Sequence, residues 1–316
     1  MKKILQPVEQ ALLKEERHLL DELKTYLVEQ GIPSDDLASL TQSIRGLDEL
    51  FLLVVVGEFN AGKSALINAL LGEKFLKEGV TPTTTRVTIL RYGQQEGPYP
   101  DSEHVQIQTA PLPFLQEISI VDTPGTNAVI REHEEITSRF IPRADLVLFI
   151  TSADRPFTES ERSFLKEIRS WRKKVVLVIN KIDILDSSAE LEEVKKFTEE
   201  KVGQLLNFEP AIFPLSAKQA CQGRQGTEEA WEASRFAPFE DYIFQTLDQT
   251  QRLQLKLTSP LGVGKRLAER YQESFHRRLQ VLDQDLVLIE DVEQQLNLYR
   301  EEMIETFQLR LSDIDG

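Results

Sequence analysis

Six short runs of aliphatic and β-branched residues divide the middle of this 316-residue chain: LLVVV at 52–56, RVTILR at 86–91, ISIVD at 118–122, LVLFI at 146–150, VVLVIN at 175–180 and AIFPL at 211–215. Their apolarity is continuous rather than alternating. Strands of that kind are covered on both faces, which predicts a largely parallel sheet with amphipathic helices between the strands. Two helix starts are marked. Thr158 with Glu161 and Ser187 with Glu190 each fit a capping box, in which side chains satisfy the free amides of a first turn. The Gly- and Pro-rich stretch 93–113 reads as a loop or hairpin inserted between core strands.

The flanks carry a different period. Leu5, Val8, Leu12, Leu19, Leu23 and Tyr26 recur at steps of three, four and seven, and Pro33-Ser34 interrupts before a second helical stretch to about Leu50. Beyond Thr250 a longer stripe runs through Phe275, Leu279, Leu282, Leu286, Ile289, Val292, Leu296, Tyr299, Met303 and Phe307. At 1.5 Å per residue it predicts a helix on the order of 55 Å long. Such a stripe reads as bundle core, with the N-terminal helix as its local partner. Two helices leave apolar surface open, and the acidic LSDIDG lies where a helix C-terminus prefers cations. The expectation is an incomplete neck.

Composition narrows the function classes. A formal net charge of −15 argues against broad nucleic-acid binding, which needs a basic surface. The one basic cluster, RSWRKK at 169–174, reads as a solvated helix cap. No apolar run approaches the roughly 20 residues of a membrane span, and MKKILQPVEQALLKEER turns charged too early for a signal peptide. A single cysteine and four scattered histidines fit a reducing cytoplasm and no structural metal. The expected location is cytoplasmic.

Chemistry enters with Gly57-Glu-Phe-Asn-Ala-Gly-Lys-Ser64, which fits G-x-x-x-x-G-K-[ST] between a predicted strand and a predicted helix. Glycines let backbone amides close round phosphate oxygens, Lys63 reaches the β- and γ-phosphates, and the Ser64 hydroxyl ligates Mg²⁺. Asp122-Thr-Pro-Gly125 ends the run ISIV; its aspartate can hold Mg²⁺ through water and the Gly125 amide can sense the γ-phosphate. Thr84, in the loop Thr81-Pro-Thr-Thr-Thr85, is placed to complete the Mg²⁺ shell. Asn180-Lys-Ile-Asp183 ends VVLVI, where a carboxylate can accept from guanine N1–H and its 2-amino group and so select GTP over ATP. Ser216-Ala-Lys218 follows AIFPL, with the Ala217 amide expected at guanine O6. The nucleotide-contacting set is then Gly57, Asn60, Ala61, Gly62, Lys63, Ser64, Ala65, Gly125, Asn180, Lys181, Asp183, Ser216, Ala217 and Lys218. Ser64, Thr84 and Asp122 serve the metal, and Lys63, Ser64, Thr84 and Asn60 form the candidate catalytic group.

The fold expected is α/β: a P-loop GTPase domain with a mostly parallel, doubly wound sheet over 50–250, flanked by an α-helical neck bundle from 1–49 and 251–316. In GEFNAGKSALINALLG, KEGVTPTTT, ISIVDTPGTN, IPRADLVLFITSADRPFTESE, VVLVINKIDI and KLTSPLGVGKRLAER the chain resembles the dynamin superfamily, in particular bacterial dynamin-like and plastid fuzzy-onions-like GTPases. The resemblance implies GTP hydrolysis to GDP with Mg²⁺, a homodimer through the G domains, and membrane remodelling through regions outside this chain. It departs from relatives in two places. Thr126 follows Gly125 where Ras-like GTPases have the water-orienting Gln, and Phe59-Asn60 stand where conventional dynamins have a Gln-Ser pair. Asn60 is open to two readings, a ligand for a monovalent cation at a dimer interface or a residue suited to the loop's turn. Two rival functions share the motifs: a ribosome-assembly GTPase, which usually adds a basic domain, and a GTP-binding polymerising scaffold that scarcely hydrolyses.

Overall fold

The apolar runs become the strands that position everything else. The computed structural model describes residues 7–77, 87–95, 97–100, 105–124, 139–206, 209–246 and 249–314. Within them the runs form β1 (Phe51–Gly57), β2 (Val87–Tyr92), β5 (Ile118–Asp122), β6 (Leu146–Ser152), β7 (Val175–Asn180) and β8 (Ala211–Pro214). Part of the 93–113 insertion folds as an antiparallel pair, β3 (Gly97–Pro100) and β4 (Val105–Ala110). The sheet order is β3-β4-β2-β5-β1-β6-β7-β8. β1 lies centrally, parallel to both β5 and β6. The parallel set continues through β7 and β8, while β2 meets β5 antiparallel. Mostly parallel is therefore right, with the exceptions confined to the β2–β5 junction and the β3–β4 edge.

Both faces of the sheet are covered, as the continuous apolar runs predict. On one face Phe51, Leu53 and Val55 pack with Leu66, Ile67 and Leu70 of α3 (Lys63–Leu71) and with Ala217 and Ala220 of α6 (Ala217–Arg224). Phe236, Phe239 and Ile243, the last two from α8 (Ala237–Thr246), close that layer. On the other, Phe149 of β6 meets Phe164 of α4 (Glu159–Ser170) at 6.4 Å between ring centres. Leu191, Val202 and Leu206 of α5 (Ser188–Leu206) are also buried. α7 (Glu228–Ser234) links α6 to α8.

The first capping box forms in full: Thr158 accepts from the Glu161 amide and the Glu161 carboxylate accepts from the Thr158 amide. The second is shifted. Ser187 Oγ accepts from the Glu190 amide, but the Glu190 carboxylate reaches back to Asp186 N.

Two flanking helices precede the sheet, α1 (Pro7–Glu29) and α2 (Ser34–Gly46). The buried positions of α1 are Glu16, Leu20 and Leu27, whereas Leu12, Leu19 and Tyr26 of the predicted stripe are 47%, 56% and 51% exposed. The stripe is thus only partly right: Leu23 is half-buried, Leu5 lies outside the described residues, and Leu12, Leu19 and Tyr26 belong to a second apolar row, because periodicity does not say which row faces the core. Leu20 and Leu23 lie where a Cβ at Gly264 would intrude, so α1 sits close against the start of α9 (Gln249–Ile314).

The basic cluster is a second correction. Lys173 is buried, with its ammonium donating to Pro142 O and Ser259 Oγ, and Trp171 lies under the Arg266 guanidinium. Only part of RSWRKK is a solvated cap.

The chain divides into two units, residues 1–266 and 267–316. In the second, the stripe residues from Leu279 to Phe307 are each half or more exposed, so the bundle burial expected of them is not realised among the described residues. No helix among the described residues is long and apolar enough to cross a membrane.

Candidate functional site

β1 ends at Gly57 and α3 begins at Lys63, leaving a five-residue loop at the C-terminal edge of the central strand. That edge is where doubly wound sheets present ligands. Two glycines are required there. Gly57 has φ 152° and a Cβ would strike the Ile150 carbonyl; Gly62 has φ 88° and a Cβ would strike the Asn180 side chain. Gly62, the N-cap, has no side chain with which to cap the first amides of α3. A helix N-terminus left open this way favours an anion.

Lys63 is buried, only 8% exposed. Its Nζ donates to Gly57 O at 3.0 Å and Glu58 O at 2.8 Å, folding back over its own loop. Burial pushes the ammonium down to about 8, opposed by the negative charges of Asp122, Glu161 and Glu58. Ser64 Oγ donates to Asp122 Oδ2 at 2.7 Å, joining residues 58 apart in sequence. Burial raises the Asp122 carboxyl to about 6, against the pull of Lys63 and the Ser64 hydrogen bond. Among the described residues, Asp122 Oδ1 is buried without a hydrogen-bond partner. Thr123 Oγ1 donates to Val55 O at 2.8 Å, pinning the end of β5 to β1.

The Asn180–Asp183 and Ser216–Lys218 motifs converge on the same loop. Asn180 Nδ2 donates to Ala61 O at 2.8 Å, and Asn180 Oδ1 accepts from Ala217 N at 2.9 Å. One side chain therefore spans from the phosphate loop to the start of α6. The Ala217 amide, expected at guanine O6, is engaged by Asn180 in this structure. Lys181 takes φ 66°. Ser216 Oγ donates to Asp183 Oδ1 at 2.6 Å and accepts from Gln219 N, while Lys218 Nζ lies 3.8 Å from Asp183 Oδ2. Asn60 is exposed at φ 64°, a left-handed position that asparagine tolerates. Ala61 is buried, and Ala65 packs half-buried against the core. Thr84 and Gly125 lie outside the described residues, as do the rest of 81–85 and Thr126.

The structure also brings in residues that the motif pattern left out. The carboxylate of Glu58, a free position in G-x-x-x-x-G-K-[ST], accepts from the hydroxyls of Thr158 and Ser160. Glu161 accepts from Thr151 Oγ1 at 2.9 Å and, chiefly through burial, is pushed up to about 7. The capping box identified Thr158 and Glu161 as a helix start, but nothing local pointed to Glu58.

Fold and site together define a P-loop GTPase: a mostly parallel sheet, an open helix N-terminus behind a glycine-bounded loop, and a strand-end carboxylate set against a helix seryl hydroxyl. Residues 52–181 match the family described as 50S ribosome-binding GTPase. Over 290 residues the chain is 38% identical to a probable transmembrane GTPase, FZO-like and chloroplastic, of Arabidopsis thaliana, a match covering 83% of this chain and 32% of that protein. It is 24% identical over 311 residues to a bacterial dynamin-like protein of Nostoc punctiforme, covering 79% of this chain and 44% of that one. A solved structure from an oligomerised bacterial dynamin pair, at 22% identity, aligns with a TM-score of 0.57 over 96% of this chain and 54% of that one. The chain thus spans less than half of those two curated relatives. In sequence it is similar to GTPases of the dynamin superfamily, plastid FZO-like and bacterial dynamin-like proteins among them.

Proposed function

We propose that this chain binds GTP and Mg²⁺ at the loop 57–64, hydrolyses GTP to GDP and phosphate, and in a longer protein couples that cycle to membrane remodelling through G-domain pairing. The observation that carries the reading is the Ser64–Asp122 contact, with one Asp122 oxygen on the hydroxyl and the other buried without a partner among the described residues. Hard oxygen donors of this type suit Mg²⁺, which keeps several waters and takes few protein ligands. Bound there, the metal supplies charge neutralisation on the phosphates. In this reading Lys63 leaves the Gly57 and Glu58 carbonyls for the phosphates, and Asp183 accepts from the guanine edge. Thr84 and Gly125 form the γ-phosphate-sensing loops, and Gly57, Ala61, Gly62, Ala65, Lys181, Ser216 and Lys218 line the nucleotide.

Pairing follows from what the site lacks. With Thr126 after Gly125, no glutamine stands at the usual water-orienting position, so a second G domain across the nucleotide face would exclude water and add a donor. Asn60, exposed at φ 64°, keeps its two readings, a ligand for a monovalent cation at that interface or a residue suited to the loop's turn. The domains proposed are neck helices at 1–49 and 251–316 round a G domain at 50–250, in a protein held at a membrane from the cytoplasmic side.

The test is GTP turnover per subunit as protein concentration rises, with a transition-state mimic of GTP compared with GDP in promoting dimers. Rising specific activity and mimic-driven dimers support the reading. Flat activity with a monomeric mimic complex rejects pairing, and absence of turnover rejects hydrolysis.

A further inference from the structure

The loop that would cradle phosphates is held from outside by a residue its motif does not specify. Glu58 is the first of the five loop residues, half-buried, and its carboxylate accepts from Thr158 Oγ1 and Ser160 Oγ. Those hydroxyls lie 100 and 102 residues away in sequence. Both belong to the first turn of α4: Thr158 is its N-cap and Ser160 its second residue.

That first turn is itself fixed. Thr158 Oγ1 accepts from Glu161 N, and Glu161 Oε2 accepts from Thr158 N and from Thr151 Oγ1. Thr151 Oγ1 in turn accepts from Phe157 N at 3.2 Å, closing the loop between β6 and α4. The anchor under Glu58 is therefore a satisfied network and not a loose surface contact. On the loop side, Glu58 O accepts both from Lys63 Nζ at 2.8 Å and from Ala61 N at 3.2 Å. One residue thus ties α4 through its side chain and the phosphate lysine through its backbone.

We propose that Glu58 is a positioning residue for nucleotide: its carboxylate, tethered to the hydroxyls of Thr158 and Ser160, holds the loop in the shape that receives the phosphates. The proposal rests on the nucleotide reading of this loop. Its chemistry is a hydrogen-bond tether. A neutral amide oxygen at the same place accepts from the same two hydroxyls, while a methyl group accepts from neither. An untethered loop must be ordered by the nucleotide, which lowers affinity without altering what the bound site does to the phosphate.

Titration with GDP carrying a fluorescent ribose label, and steady-state GTP kinetics, on wild type and on Glu58→Ala, Glu58→Gln and Ser160→Ala, test this. Glu58→Ala is expected to weaken labelled GDP about 10-fold and to raise KM for GTP by a similar factor with kcat within about twofold, the signature of lost uniform binding. Ser160→Ala, with one donor of two removed, should lose about threefold, and Glu58→Gln should stay within about twofold of wild type. Thermal melting without nucleotide separates this from a loss of fold, and Ser160→Ala keeps the test open if Glu58→Ala does not fold.

Wild-type affinity in Glu58→Ala or Ser160→Ala overturns the tether. So does Glu58→Gln falling as far as Glu58→Ala, which would make charge the cause, and so does a fall in kcat with KM unchanged. A wild-type chain that binds no guanine nucleotide removes the underlying reading with it. A wild type that binds, beside variants that bind as well, removes the tether alone.

Discussion

Lys173 Nζ donates to Ser259 Oγ at 2.6 Å, joining the residue two before β7 to the first third of α9 across 86 positions. The same ammonium donates to Pro142 O at 2.6 Å, and Ser259 Oγ donates onward to Ala144 O at 2.7 Å. A few residues earlier in α9, Lys256 Nζ meets Asp145 Oδ2 at 3.0 Å and Leu50 O at 2.9 Å. Asp145 Oδ2 also accepts from Leu52 N. The starts of β1 and β6 are thus stitched to α9 by buried charge, at the sheet edge opposite the nucleotide loop.

Ser259→Ala is expected to destabilise the chain by about 1–3 kcal/mol, because it leaves a buried ammonium one acceptor short. The cost depends on pH in a defined direction. Burial pushes Lys173 down to about 7, against the attraction of Asp145, whereas the unfolded lysine keeps its proton to its ordinary range. The folded group is charged below 7 and neutral well above it, so the mutational cost should be larger at pH 6 than at pH 9. Urea unfolding of wild type and variant at both pH values measures it; an equal cost at the two would contradict the account.

Lys63→Ala should weaken GTP and GDP binding by about two orders of magnitude, since it removes the ammonium nearest the phosphates. With Lys63 near 8 in the free protein, wild-type affinity should also fall as pH rises past about 8, where the ammonium is lost on nucleotide-free chains. Isothermal titration from pH 7 to 9 checks both. Binding by the variant at wild-type strength would remove Lys63 from the site.

Asp183→Asn should cost about 100-fold in GTP affinity and raise tolerance of xanthine nucleotides, because an amide donor would face the guanine amino group but suits a xanthine carbonyl. Competition among GTP, ATP and XTP is the measurement. An unchanged order of preference would place base recognition elsewhere.

Glu16→Gln should flatten the pH dependence of stability. Glu16 is buried in α1 with neither carboxylate oxygen hydrogen-bonded among the described residues, and burial raises its carboxyl to about 8. Between its ordinary value and 8 the folded state holds a proton that the unfolded state has released, so wild-type stability falls as pH rises through that window. The variant lacks this loss. Relative to wild type it should gain more than about 1 kcal/mol between pH 5 and pH 8, read from denaturant midpoints. Parallel pH profiles for the two proteins would show that the Glu16 carboxyl ionises normally.

Much of the fold is legible in one dimension because its signals are local. Continuous β-branched runs mark strands buried on both faces, and Gly57 and Gly62 mark backbone that no other residue adopts without collision. The Thr158–Glu161 box marks a helix start within four residues. Each motif also carries its own chemistry, so the guanine nucleotide and Mg²⁺ proposed for this site are suggested by Lys63, Ser64, Asp122 and Asp183 before any of them is placed.

What only the tertiary structure decided are relations between distant positions. α1 offers two apolar rows of similar strength, and packing beside Gly264 chose the row of Leu20 and Leu27 over that of Leu19 and Tyr26. RSWRKK reads as solvated until α9 covers Lys173 and Arg266 covers Trp171. Glu58 occupies a free position of its motif, and its link to Thr158 and Ser160 exists because β1 and β6 are neighbours, which brings the loop beside the first turn of α4. Periodicity and turn chemistry act within a few residues. Which face is covered, and which hydroxyl meets which carboxylate a hundred residues away, depends on strand order, and that follows from the packing of the whole sheet.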